Sequence, residues 1–277
     1  MKRFSRPATI GLLMLLCLTR LSNPLFAQEP DADTIIESIM ATYGGREALQ
    51  ALHAYRLEAS LQTHVHPQTA QVIRIWETPD HLKVFIRYPK RMELRILKGF
   101  QAWRGSTPHT LAEVSGILRD AMLLQLLRAN IPDLLMRMQS HVRLLEYTDS
   151  EITLELPTGA DLQFRLTVNP HTFRVVQTEG QLSAGDRDVV FQTRYADFRE
   201  VNGLLFPFAE ENYASGVHTA STRITHVLVN PQDTRLHLPG GDEAQGYPDM
   251  RTPFFTTLSI ALTPSLLWSS WHLIPNM

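Results

Sequence analysis

The chain has 277 residues, 44% of them hydrophobic and 19% charged, which suits a sizeable core in one or two domains and excludes a disordered chain. Its formal net charge is −2. With Lys2, Arg3, Arg6 and Arg20 set aside, 22 of the 26 basic residues remain against 28 acidic ones, a balance of −6 that argues against a nucleic-acid partner.

The first 27 residues read as a secretory signal. Lys2, Arg3 and Arg6 form a positive start, residues 8–18 are apolar, and Ala27 suits a cleavage site. Cys17 is the only cysteine, and the Leu16 before it does not fit a lipoprotein signal. Cleavage leaves a chain without disulfides or thiolate metal ligands, as expected of a bacterial periplasmic protein.

In chain order, Asp33 is placed to cap a helix ending near Tyr43, with Ile35, Ile36, Ile39 and Met40 on one face. Gly44 and Gly45 end it, and a short turn of helix follows. From Tyr55 the period changes to two, the strand pattern. Residues 81–97 form a predicted hairpin about Pro89 and Lys90. Leu82, Val84 and Ile86 before the turn, and Met92, Leu94 and Ile96 after it, are expected on one oily face. Thr110 and Glu113 have the spacing of a capping box for a helix reaching Ala129, apolar on nearly every side around residues 122–127. Asn130 and Pro132 break it, and another turn or two of helix follows. Seven further short strands, separated by turns such as Asn202-Gly203 and Ser215-Gly216, predict an antiparallel meander. Residues 240–249 form a polar linker. The apolar tail beyond Arg251 has three readings: packed on the sheet or free, lying on a membrane surface, or spanning a membrane.

Strands lie about 4.8 Å apart and a helix is about 10 Å across, so one helix covers roughly two strands. About ten strands need about five helices on that measure, and the sequence offers two or three. Either the sheet covers itself, or an apolar strip is left for an oily ligand.

Several segments resemble a known family. They are Asp33-Thr34-Ile35-Ile36-Glu37, Tyr43-Gly44-Gly45-Arg46-Glu47-Ala48-Leu49, Trp103 before the central helix and Asn169-Pro170 before a strand. The run from Tyr195 through Asn202-Gly203 to Pro207, then Asn230-Pro231 and Leu238-Pro239, completes the set. Their order over residues 33–239 is similar to that of the LolA-like periplasmic lipoprotein carriers. The resemblance implies a mainly antiparallel β fold with α, a curved half-open β-barrel under a helical lid, and a non-enzymatic carrier of acyl chains. Its expected domains are a signal at 1–27, a lipid-binding domain at 28–239 and a linker with apolar tail at 240–277.

The lipid-facing residues chosen from strand alternation are Leu57, Leu61, Val84, Ile86, Met92, Leu94, Ile96, Leu154, Phe164, Leu166 and Phe191. Leu118, Met122 and Leu126 are expected on the lid. The ligand is expected to be lipid or lipoprotein acyl chains, with an inner- or outer-membrane protein as partner and no cofactor. The alternative is an envelope interaction module whose apolar tail docks a membrane partner. Nucleotide-binding, hydrolase-elbow and zinc-protease motifs are absent. His64 and His66 share a strand face but read as exposed histidines, and Glu210-Glu211 as solvated edge acids.

Overall fold

The computed structural model describes residues 31–137, 142–158, 162–184 and 187–234. The secretory signal, the linker and the apolar tail expected from the sequence lie outside these residues.

Four helices are described: α1 (Ala32–Thr42), α2 (Gly45–Gln50), α3 (Gly116–Ala129) and α4 (Ile131–Arg137). The strands are β1 (Ala54–Thr63), β2 (Gln68–Glu77), β3 (His81–Arg87), β4 (Met92–Lys98), β5 (Gln101–Gly105) and β6 (Ala112–Val114), followed beyond the helices by β7 (Arg143–Tyr147) and β8 (Ile152–Pro157). They continue with β9 (Leu162–Val168), β10 (Val175–Ala184), β11 (Arg187–Val201), β12 (Leu204–Ala214) and β13 (Val217–Val229). None of these helices is long and apolar enough to cross a membrane.

All thirteen strands join one antiparallel sheet, in the order β6-β5-β4-β3-β2-β1-β13-β12-β11-β10-β9-β8-β7. Every neighbouring pair is consecutive in sequence except β1 and β13. The sheet is therefore two meanders joined at one seam, where Tyr55 faces Val229 and Thr63 faces Ala220. The curved half-open barrel expected from the resemblance is not formed. The sheet is neither closed nor strongly curled, and β6 and β7 stand at opposite edges of it. Closure requires partner edges of matched length and register. Here β6 has three residues, and β7 has five with a bulge where it pairs β8.

Cap chemistry sets the helix bounds. The Asp31 side chain, not that of Asp33, accepts the Thr34 N–H at 2.7 Å and starts α1. The hydrogen bonds from Thr34 hold the Asp31 carboxyl below its usual range. Ile35, Ile36, Ile39 and Met40 are buried against the sheet, and Tyr43 accepts the Val175 N–H through its hydroxyl. The expected capping box at Thr110 belongs instead to a 3-10 turn at Pro108–Thr110, capped by Thr107. Residues 112–114 then pair with β5 as an edge strand, so α3 begins only at Gly116, and Ser115 makes no side-chain cap bond. The open edge of β5 offers those residues backbone partners that a first helical turn lacks.

Helix α3 lies across one face of the sheet, which we call the inner face, and touches β4 and β5 as well as β10 and β11. Contact on both sides explains its all-round apolar sequence. It settles over Gly180, where an added Cβ would come within 2.9 Å of Leu124. A continuous core forms between this face and the helices. On the outer face a smaller cluster comprises Ile73, Ile75, Phe85, Leu94 and Ile96.

Gly44, at φ 114°, sits where an added Cβ would lie 2.2 Å from the carbonyl oxygen of Gly203. Gly44→Ala is expected to cost about 1–3 kcal/mol, since both the left-handed backbone and this contact oppose a side chain. Guanidinium unfolding midpoints read the loss, and Gly45→Ala, with open space around its added Cβ, serves as the comparison.

Candidate functional site

The hairpin register decides which side chains meet. Leu82 faces Leu97, Val84 faces Arg95 and Ile86 faces Glu93, while Phe85 faces Leu94 and Lys83 faces Ile96. Cross-strand partners share a face. Val84 and Ile86 therefore point to the inner face, with Glu93 and Arg95 beside them. Met92, Leu94 and Ile96 belong to the outer face, so the single oily face expected for this hairpin is corrected. Met92 is exposed there, and Leu94 and Ile96 are buried in the outer cluster.

A cavity of about 210 Å³ lies between α3 and the middle of the inner face. Leu61, Val84, Ile86, Leu118, Met122 and Phe191 line it. These are six of the residues selected from alternation. Leu57, Leu126, Leu154, Phe164 and Leu166 are buried in the surrounding core without reaching it. A second depression of about 450 Å³, away from the sheet centre, is bounded by Leu49, Leu52, Trp76, Pro132 and Met136.

The cavity also has a polar wall. Arg74, Arg95, Arg104, Arg128 and Glu210 reach it, with Gln125, Thr193, Asn212 and Thr222. Arg74 is buried and forms a two-pronged pair with Glu210, at 3.0 and 3.1 Å. Burial works against the Arg74 charge, but Glu210 more than offsets it and holds the guanidinium above its ordinary range. Glu210 is thus not the solvated edge acid expected from sequence; Glu211 alone turns outward.

The same wall grips the end of α3. Arg74 donates to the Ala129 carbonyl at 3.1 Å, the Tyr55 hydroxyl donates to it at 3.3 Å, and the Tyr195 hydroxyl donates to the Arg128 carbonyl. Such carbonyls have no partner within a helix. Burial pushes the Tyr195 hydroxyl up, so it stays a neutral donor. Next to it, Arg128 bonds Thr193 at 3.1 Å and the Leu124 carbonyl at 3.3 Å, and lies over the Phe191 ring. Burial, with Arg95 and Arg74 nearby, pushes Arg128 down to about 10 despite Tyr195 and Glu210. Asn130, between α3 and α4, is buried with its amide group unpartnered.

At the far side, Glu93 accepts from Arg95 at 2.6 Å and Arg104 at 3.0 Å, and Arg95 donates to Gln125 of α3. Burial works to raise the Glu93 carboxyl, but Arg95 and Arg104 win and hold it at about 2.

On the outer face, His64, Glu211 and His218 bring their ligand atoms within 4.8 Å of one another. His64, expected from sequence to be an exposed strand histidine, is half-buried and meets His218, a residue 154 positions away in sequence. The pairing of β1 with β13 brings them together, and no local spacing signals it.

Two outcomes test this electrostatic wall. Arg74→Met alone is expected to cost about 3–5 kcal/mol in urea unfolding, because it strands a buried carboxylate; Arg74→Met with Glu210→Leu is expected to cost much less. The lowered Glu93 carboxyl contributes stability that is full above about pH 4.5 and is lost as pH falls towards 2. Burial works to raise Glu77 too, yet His81, Thr234 and Lys83 hold it at about 2, so it titrates in the same window. Stability measured from pH 5 to 2 should therefore fall less steeply in Glu93→Gln, the Glu93 share being roughly 3 kcal/mol.

No protein-family model matches this chain, and no curated protein does. Solved structures do. A LolA superfamily protein from Nitrosomonas europaea aligns at a TM-score of 0.50 and 17% identity, covering 74% of this chain and 96% of its own. A DUF1329 family protein from Desulfovibrio piger aligns at 0.50 and 10% identity, covering 72% of this chain and 93% of its own. At such identities the likeness is one of fold. The open thirteen-stranded sheet with its helices has the LolA-superfamily fold.

Proposed function

We propose that the protein is a non-enzymatic periplasmic carrier or sensor that binds lipid or lipoprotein acyl chains between α3 and the inner face of the sheet. The observation that carries this reading is the apolar-lined cavity under a helix secured mainly at its C-terminal end. The N-terminal signal expected from the sequence supports export, and the fold likeness supports a carrier.

The cavity is open on one side and, at about 210 Å³, is smaller than the roughly 300–1,000 Å³ of ordinary ligand pockets. A long chain is fully accommodated only as α3 shifts. The start of α3 lacks a side-chain cap, and Leu118 and Met122 are the helix residues a chain would replace against the sheet. Uncovering the sheet is offset by burial of the ligand at about 0.8 kcal/mol per CH₂. Binding is then reversible, since helix and ligand compete for one surface.

The purified protein is expected to bind a fluorescent fatty acid, and Leu118→Asp to weaken that binding by about tenfold or more, since a carboxylate at the apolar wall must be desolvated. Leu118 is only partly buried, so its variant should keep the wild-type unfolding midpoint. Absence of fatty-acid binding by the wild type would overturn the proposal.

A further inference from the structure

We infer that the cavity's ligand is an anionic amphiphile, with a carboxylate or phosphate beside its chain and that group seated at Arg128. The inference rests on the acyl-chain reading above and adds the charge. Four guanidinium groups stand at the wall, those of Arg74, Arg95, Arg104 and Arg128. Two carboxylates answer them: Glu210 bonds Arg74, and Glu93 bonds Arg95 and Arg104. Arg128 forms neutral hydrogen bonds to Thr193 and to the Leu124 carbonyl, and no carboxylate bonds it among the described residues. It faces the cavity from the end of α3, next to Phe191 and in the second turn beyond Met122, where an acyl chain would lie. A half-buried guanidinium, flanked by two others and bonded to no carboxylate among the described residues, is best completed by an anion arriving with the ligand. Its planar fork suits both carboxylate and phosphate. A neutral chain would leave that charge uncompensated.

The test uses three twelve-carbon probes, dodecanoate, dodecyl phosphate and dodecanol, displacing the neutral reporter N-phenyl-1-naphthylamine from the full chain. Wild type is expected to bind the two anions about tenfold or more tighter than the alcohol, as a charge-assisted hydrogen bond should give. Arg128→Gln should erase most of that preference and Arg128→Lys should keep most of it. The ratio of the two anions identifies the preferred group, and inorganic phosphate should not displace the reporter. Equal binding of dodecanol, an undiminished preference in Arg128→Gln, or displacement by inorganic phosphate would overturn the inference while leaving the acyl-chain reading in place. Binding of none of the three probes would overturn that reading as well.

A separate observation on the outer face stands independently of the cavity. There the geometry points to a site for a divalent transition-metal ion of the zinc class. The rings of His64 and His218 lie with centroids 4.2 Å apart and planes tilted by 35°, and His218 Nε2 lies 2.9 Å from Glu211 Oε2. Ser221 bonds both Glu211 and His64, and Arg223 holds the other Glu211 oxygen at 2.6 Å, leaving one to coordinate. Two imidazoles and a carboxylate form a three-ligand set with a fourth position open to water. Calorimetric titration of the full chain with Zn²⁺ at pH 7.5 should show one ion bound. His64→Ala and His218→Ala should each weaken it about a hundredfold, while His226→Ala leaves it unchanged. No stoichiometric uptake, or uptake indifferent to His64 and His218, would overturn the site.

Discussion

The ion pair between Arg74 and Glu210 is the constraint on which the centre of the molecule depends. Arg74 is on β2, in the first meander, and Glu210 is on β12, in the second. Their side chains meet over the seam where β1 pairs with β13. A charge in this position is costly unless fully answered, and here two parallel hydrogen bonds answer it. One Arg74 nitrogen also reaches the end of α3, so a single guanidinium ties both halves of the sheet to the helix above them. Buried pairs contribute less to net stability than to choosing one arrangement over others. Their cost here favours the register that brings Arg74 and Glu210 together.

The cavity follows from the same arrangement. Side chains that would otherwise fill the space beneath α3 are replaced by a polar wall with its own hydrogen-bonding demands. Apolar residues on the sheet and on α3 supply the opposite wall. The two ends of α3 differ accordingly: its carbonyl end is held by Arg74, Tyr55 and Tyr195, while its start at Gly116 follows a three-residue edge strand and lacks a side-chain cap. The unpartnered Asn130 amide lies at that fixed end, where the turn into α4 leaves it without a partner.

Much of the fold was legible in the sequence, because period-two alternation and glycine or asparagine turns state an antiparallel meander directly. The hairpin face was also legible but misread. A two-residue turn at Pro89 and Lys90 pairs Arg87 with Met92, and that parity sends Leu94 away from Val84. The buried pair had a similar signal: Arg74 interrupts the inward series Val72 and Trp76, and Glu210 interrupts Phe206 and Phe208. The capping-box spacing at Thr110 was overridden by an available sheet edge. The open form of the sheet was not legible, since alternation shows which residues face inward and not how far strands bend around them. Nor was the meeting of His64 with His218, which depends on long-range pairing.

The seam has a consequence for synthesis. Strand β1 finds its second neighbour only when β13 has been made, some 160 residues later. Until then the first meander presents one long edge and its greasy side to whatever surrounds it, and both invite intermolecular pairing. A chain with so distant a closing contact acquires its native state late and all at once. Any cover over the emerging half therefore lowers its chance of pairing wrongly while the other half is still being made.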